Sequence, residues 1–376
     1  MDFNYSDEQR MLAESVARWL EADYEFARRR RLASGEESGD GSWRQLADLG
    51  LLGIHVPEEQ GGLGGSSVET LIVMQSLGRA LVVEPYLPTA VISAPLLARV
   101  GTNAQRETLL PAIVAGDCRV VVATFEPAAP FDLEHVGTQA IRRDDRFVLN
   151  GRKGVLVGAD SADYLIVSAR TAGETRDTQG ISLFIVPVGT AGLTIRATPT
   201  IDGLRAAEIS LDNVELDAGA LLGVADAGYG ELERAIDRGI AGLCAEAVGV
   251  MERLLEMTAE HLRTRRQFGQ PIGNFQALQH RAADMAIAIE QARATTLLAA
   301  AKVEAEDRRE RRRAIAAAKV MAGESGRYVG EQAVQLHGGM GMTDELPVGW
   351  YFKRLVAIDL TWGDAGHHLE LYGAML

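Results

Sequence analysis

His261-Leu-Arg-Thr-Arg-Arg-Gln-Phe-Gly-Gln-Pro-Ile-Gly-Asn-Phe-Gln-Ala-Leu-Gln-His-Arg-Ala-Ala-Asp-Met285 is the stretch whose reading decides the fold. A helix carrying Arg263, Arg265 and Arg266 is expected to stop at Gly269-Gln270-Pro271, because Gly suits a C-terminal cap and Pro cannot continue a helix. Gly273-Asn274 punctuates, and a second helix is expected from Phe275-Gln276. Cations in a last helical turn favour the negative end of the helix dipole. That alone accounts for the arginines as an ordinary basic helix end on a bundle. The same arginines offer planar forks of donors suited to phosphate. Residue chemistry leaves both readings open.

The rest of the chain bounds the choice. Its 376 residues are enough for two or three domains. With 47% apolar and 24% charged residues, the composition is globular rather than disordered. A net charge of −14 argues against nucleic acid, which needs a basic face, but leaves room for a local basic site. Cys118 and Cys244 lie in apolar runs and read as buried free thiols, too few for a disulfide framework. The start, Met1-Asp-Phe-Asn4, lacks the basic-then-apolar design of a secretory leader. No apolar run reaches membrane-spanning length, so a reduced, cytoplasmic setting is expected.

Residues 1–118 read as helical. Ser6 and Gln9 have capping-box spacing, and Leu12, Val16, Trp19 and Leu20 follow at helical intervals. Arg28–Arg31 reads as a solvated face. Asp40-Gly-Ser-Trp43 opens another helix. The glycines of Gly61-Gly-Leu-Gly-Gly65 read as a flexible turn, since no Lys-Ser/Thr follows as in a P-loop. Residues 119–224 change texture. Val120–Thr124, Arg146–Leu149, Tyr164–Ser168, Ile181–Pro187 and Glu208–Leu216 are short β-rich runs, separated by turns such as Asn150-Gly151. They predict a small β-barrel or sandwich. Residues 225–376 return to helices with a long apolar stripe from Leu232 to Leu254 and an Ala-rich segment from Ala282 to Ala301. Asp307–Arg313 reads as an exposed, charge-alternating surface.

Several fixed positions then coincide. Arg265, Phe268-Gly269, Pro271-Ile272, Phe275-Gln276 and Ala283-Asp284-Met285 resemble the Arg-x-x-Phe-Gly … Pro-Ile … Phe-Gln … Ala-Asp-Met signature of the flavin-dependent acyl-CoA dehydrogenases. Gln335-Leu-His-Gly-Gly-Met-Gly341 resembles that family's Gln-x-x-Gly-Gly-x-Gly loop. The resemblance covers nearly the whole chain. It implies a mainly α fold with a central β-domain: an N-terminal helical domain, a middle β-barrel or sandwich, and a C-terminal four-helix bundle. It also implies FAD as cofactor, with Arg265, Gln267, Phe268, Gln276, Gln335, Gly338 and Gly339 as cofactor residues in sites shared between subunits. His337 is expected to be structural. No metal is implied, and His367-His368, being adjacent, make a poor metal pair on a helix.

The implied chemistry is α,β-dehydrogenation of an acyl-CoA to the trans-2-enoyl-CoA. A carboxylate takes the pro-R α-proton while the β-hydrogen leaves as hydride to flavin N5. Such a base must sit dry with a raised pKa. Here the pattern departs. The position of the family's usual Glu holds Trp362, and the alternative position on the first long C-terminal helix holds Gly239. Glu246 lies about two helical turns beyond Gly239, hence on the same face, among apolar neighbours. It is either a moved base or the partner of a buried Arg on a neighbouring helix. Asp364 is a second catalytic candidate, placed to hydrogen-bond flavin or His. Asp237 and Arg238 are the candidates for substrate binding. Phe125-Glu-Pro127 stands where family members have Thr-Glu-Pro, and Val155-Leu-Val-Gly158 replaces Trp-Ile-Thr-Asn, so two flavin-contacting hydroxyls are lost.

Tyr24-Glu-Phe-Ala-Arg-Arg29, Leu81-Val-Val-Glu-Pro-Tyr86, Asp202-Gly-Leu-Arg-Ala-Ala-Glu208, Cys244-Ala-Glu-Ala-Val-Gly249 and Gly363-Asp-Ala-Gly-His-His368 resemble the small-subunit type of pimeloyl-CoA dehydrogenase. That resemblance implies a medium-chain or dicarboxylyl CoA thioester as substrate, in fatty or dicarboxylic acid degradation. It also implies a homodimer or homotetramer, or a heterotetramer with a larger paralogous subunit, and electron-transferring flavoprotein as acceptor. Two alternatives stay open: a non-catalytic partner subunit completing a paralogue's site, or a flavin oxidase or monooxygenase on the same fold.

Overall fold

The computed structural model describes residues 5–376. Residues 1–4, part of the start read as lacking a leader, lie outside the described residues. Helices α1 (Asp7–Asp23), α2 (Phe26–Ser34), α3 (Asp40–Asp48), α4 (Ser67–Ala80), α5 (Ala94–Val100) and α6 (Asn103–Val114) come first. The Ser6 hydroxyl accepts from the Gln9 amide at 3.2 Å, and the Gln9 side chain accepts from the Ser6 amide at 3.0 Å, closing the box that the spacing predicts. A π-helical stretch, Leu87–Ser93, runs directly into α5.

The middle of the chain is a mixed sheet of β1 (Val120–Ala123), β2 (Gln139–Arg143), β3 (Arg146–Val157), β4 (Tyr164–Arg170), β5 (Ile181–Pro187), β6 (Leu193–Pro199), β7 (Arg205–Asp217) and β8 (Leu221–Leu222). The order is β6-β7-β3-β2-β4-β5-β8, with β1 parallel to β4. β2 meets β4 at a single pair, Gln139 with Arg170, so the sheet folds over there. Phe147 of β3 thereby meets Phe184 of β5, ring centroids 4.9 Å apart, in a shared apolar core. Sequence pattern missed β2 and β6. β2 buries only Ala140 and β6 buries none of its residues, so neither shows an apolar face. Asn150-Gly151 is not a turn. It lies inside β3 at a register shift against β7, where an ideal Cβ on Gly151 would stand 2.4 Å from Thr138 Oγ1.

The C-terminal helices are α7 (Gly228–Thr264), α8 (Gln276–Lys302), α9 (Arg308–His337), α10 (Val348–Leu360) and α11 (Ala365–Ala374). α7 is buried on most sides through its middle, from Gly239 to Met251. It crosses α4 closely: an ideal Cβ on Gly249 would lie 1.9 Å from the Gln75 carbonyl oxygen, so the crossing requires glycine.

Two charged runs read as solvated are partly interior. Arg29 is fully buried in the Arg28–Arg31 run. It donates to the carbonyls of Leu81 and Asp202 and lies over the Trp350 ring at 4.8 Å. In the Asp307–Arg313 run, Arg311 is 2% exposed. Arg311 and Arg312 reach Asp237 at 2.9 and 2.8 Å, and Arg308 reaches Glu233 at 2.7 Å. These pairs dock the start of α9 on α7, because charges leave water only when paired. Cys118 and Cys244 are buried free thiols.

Candidate functional site

Two regions emerge. The first is the end of the helical bundle where the arginine and glycine motifs meet. α7 stops at Thr264, earlier than Gly269, and Arg265 is its cap residue. The chain then makes a small hairpin, Arg266–Gln267 against Gln270–Pro271, with Phe268 and Gly269 left-handed at its tip. Gln276 opens α8. Arg263 is held by Glu260 at 3.0 Å and Arg266 donates to the Gly269 carbonyl at 3.4 Å. Arg265 is exposed, and its guanidinium has no hydrogen-bonding partner among the described residues. At the end of α9, Gln335, Gly338 and Gly339 are exposed, and ideal Cβ atoms on the two glycines would meet nothing within 4 Å. The His261 and His337 rings stack, centroids 4.5 Å apart, joining the two segments.

These residues fit the pyrophosphate side of FAD. An unpaired guanidinium and open glycine backbone amides are donors that a diphosphate would accept from. The α8 N-terminus adds a favourable dipole end, whereas α7 and α9 present unfavourable C-termini. Anion binding here therefore depends heavily on Arg265.

The second region is where the base was sought. Trp362, left-handed at φ 57°, lies against Gly239 itself. An ideal Cβ on Gly239 would stand 2.8 Å from the Trp362 ring and 2.6 Å from Ile92. Thus the two positions at which the resemblance implies a Glu face each other, with an indole and an isoleucine filling the space between them. The turn is held from three sides. Buried Lys319 donates to the carbonyls of Ile358, Asp359 and Gly363 at 2.9, 2.7 and 2.6 Å. His368 Nε2 meets the Trp362 carbonyl at 3.0 Å. Burial lowers Lys319 to about 8 and His368 to about 3.

The carboxylates there are occupied. Glu246, 5% exposed, accepts a two-pronged pair from Arg354 at 2.6 and 2.7 Å, and Arg354 also donates to Asp202 at 2.8 Å. Burial acts to raise Asp202, but Arg354, the Thr200 hydroxyl and the Leu204 amide together hold the carboxyl below its ordinary value. Of the two readings of Glu246, the geometry is that of the buried pair with Arg354 and not of a free proton acceptor. Asp364 caps α11, accepting from the His367 amide at 2.8 Å. It is a helix cap here and bonds the His367 backbone, not its ring.

Asp237 is fully buried against Arg311 and Arg312, and Arg238 is tied to Glu304 at 2.6 Å. Neither lines a nearby cleft of about 440 Å³, whose walls include Thr178, Gln179, Tyr229, Arg234, Arg308 and Arg311. Its guanidiniums are neutralised by Glu233, Asp237 and Glu306. In the middle domain, Phe125 is buried, and Glu126 pairs with fully buried Lys153 at 2.8 Å. Sequence reasoning missed Lys319 and Arg354. A lone Lys between Ala318 and Val320 was the same signal that singled out Glu246.

Comparison with known proteins gives three matching family models: acyl-CoA dehydrogenase N-terminal domain over residues 6–117, middle domain over 122–214, and C-terminal domain over 226–373. Probable acyl-CoA dehydrogenase YngJ of Bacillus subtilis is 33% identical over 360 residues, covering 93% of this chain and 92% of that protein. Caffeyl-CoA reductase-Etf complex subunit CarC of Acetobacterium woodii is 30% identical over 322 residues, covering 83% and 84%. Among solved structures, the ChsE4-ChsE5 complex from Mycobacterium tuberculosis superimposes with a TM-score of 0.89 at 30% identity, covering 100% of this chain and 98% of that one.

Proposed function

This chain belongs to the acyl-CoA dehydrogenase family, FAD-dependent oxidoreductases acting on CH–CH groups, and from that premise we propose that it serves the dehydrogenation as one subunit of an assembly whose paralogous chain supplies the catalytic base. The observation that carries this is Trp362 against Gly239. Neither residue can take a proton, and the space beside Gly239 is filled by Ile92 and the Trp362 ring. Glu246 and Asp364 are committed to Arg354 and to a helix cap.

What this chain keeps is the half of the cofactor site that serves a neighbour. Arg265 neutralises charge on the FAD pyrophosphate, and Gly338 and Gly339 offer backbone amides. Gln267, Phe268, Gln276 and Gln335 lie exposed around them. FAD, when bound, supplies the hydride acceptor. Asp237 and Arg238 support the substrate side indirectly, by fixing α7 against α9 and the α8 end. The similarity to a chain of the two-component ChsE4-ChsE5 complex supports an assembly of unlike chains, and similarity to an Etf-complex subunit supports electron-transferring flavoprotein as acceptor. The subgroup motifs favour a medium-chain or dicarboxylyl CoA such as pimeloyl-CoA, in a cytoplasmic setting. Among the described residues no helix is long and apolar enough to cross a membrane.

The test is stopped-flow bleaching of the flavin by a panel of acyl-CoAs, with the purified chain alone and with its paralogue. No bleaching alone and full bleaching when the paralogue is added is the expected result. Full bleaching by this chain alone would overturn the proposal.

A further inference from the structure

We infer that His261 and His337 are a positioning pair for the cofactor: their stacked rings fix the loop that carries Arg265 relative to the loop of Gly338 and Gly339, so that guanidinium and backbone amides can meet one diphosphate. The inference rests on the FAD reading of this end of the bundle. Each ring stands at the root of one segment. His261 is one turn before Arg265, whose amide donates to the His261 carbonyl at 2.9 Å. His337 is the last residue of α9 and directly precedes Gly338. The rings are 4.5 Å apart between centroids and 29° from parallel.

The pair is built rather than incidental. His337 is 8% exposed, and its Nδ1 lies 2.8 Å from the Ala333 carbonyl, which holds the ring in place and makes that nitrogen the protonated one. The glycine loop then folds back against the end of α9: an ideal Cβ on Gly341 would stand 3.1 Å from His337 Cβ and 2.8 Å from the Val334 carbonyl oxygen. Neither imidazole hydrogen-bonds a carboxylate among the described residues, so nothing equips the pair for acid–base work. His261 is held below its ordinary value by partial burial first, then by His337 and Arg265. The two loop tips are open, with nothing within 4 Å of ideal Cβ atoms on Gly269, Gly338 and Gly339. Their mutual position is therefore set at the roots, where the histidines are.

The experiment measures FAD dissociation from the assembled protein by flavin fluorescence, with five variants: His261→Ala, His261→Phe, His337→Ala, the double alanine variant and Arg265→Ala. An aromatic pair contributes about 2- to 13-fold to an equilibrium. His261→Ala should weaken FAD binding by about that factor, and His261→Phe should restore it to within about 2-fold. The double variant His261→Ala/His337→Ala should be no weaker than the poorer single, because the two rings act as one unit. Arg265→Ala should weaken binding by roughly 10- to 150-fold. Unchanged affinity in Arg265→Ala refutes the FAD reading itself. Weakening in Arg265→Ala with full affinity in His261→Ala overturns the positioning role alone, as does a Phe variant as poor as the Ala variant. If His337→Ala does not fold, hydrogen exchange of the 338–342 amides in FAD-free His261→Ala decides. Faster exchange than in the parent is expected, and identical exchange overturns the proposal.

Discussion

Gly239 and Trp362 are far apart in sequence but answer to each other in space, and each constrains what the other can become. Gly239→Ala places a methyl 2.6 Å from Ile92 and 2.8 Å from the indole. Overpacking of this kind costs about 1–3 kcal/mol, so its urea midpoint should fall. Adding Trp362→Ala should recover part of that loss, because the clash partner is gone; strictly additive midpoints would show that the two side chains do not meet. The buried histidines make a second residue-scale prediction. His368 and His55 titrate near 3 and 4 in the fold, mainly through burial, against about 6.5 unfolded. Lys319, Arg312 and His367 face His368, and Arg238, Glu304 and Glu69 face His55. A lowered histidine binds fewer protons folded than unfolded, so its stability contribution is present above pH 6.5 and lost as pH falls below it. Each should cost on the order of 2 kcal/mol at pH 5. Denaturation at pH 8 and pH 5 checks this, and His368→Gln should show a shallower fall than the parent.

Helix α10 carries one buried guanidinium, Arg354, beside its apolar face. Arg354 joins it to α7 through Glu246 and to the turn before β7 through Asp202, while Arg29 of α2 reaches the same Asp202. Four parts of the chain, α2, the turn before β7, α7 and α10, thus meet in one buried polar network. Glu246→Gln keeps the shape and leaves Arg354 underpaired, which for a buried pair costs about 3–5 kcal/mol. Melting should shift down strongly, while flavin bleaching by the folded assembly stays near that of the parent. A stable Glu246→Gln protein with a 100-fold loss of bleaching would return Glu246 to the role of base. The same network shows what was legible. Arg265 and Gly338-Gly339 could be read because their chemistry follows from local spacing and backbone freedom. The helices and the longer strands could be read because burial imposes a period. β2 and β6 could not, since they bury almost nothing. Glu246 could be read as buried, but its partner lies 108 residues away, and a sequence does not say which arginine will be there. The runs Arg28–Arg31 and Asp307–Arg313 misled for the same reason: charge next to charge looks solvated until another element folds onto it.

Over the whole molecule, the polar hub is inside, and three of the apolar side chains left outside lie at the end that carries the arginine and glycine motifs. Phe268 is 90% exposed, Met342 79% and Met340 51%, all beside Arg265 and the glycine loop. Exposed apolar side chains rimmed by polar residues mark association sites. A diphosphate bound by Arg265 on this open surface would be half solvated unless a second chain covered its other side. The prediction is a dimer at least, and a tetramer where both bundle faces are used, made of this chain with itself or with its paralogue. Burying Phe268 fully contributes about 1.5–3 kcal/mol per copy, so Phe268→Ser should raise the dissociation constant of the assembly by roughly 10-fold or more and release FAD in parallel. Light scattering and flavin absorbance on the same sample measure both. Phe125 and Val157 offer no hydroxyl, and Trp362 cannot take a proton. With a paralogue, flavin should therefore be found once per pair of unlike chains, held by the paralogue and completed by Arg265. A stable FAD-bound monomer at micromolar concentration would contradict the assembly, and one flavin on every chain would show that this chain holds an isoalloxazine of its own despite Phe125 and Trp362.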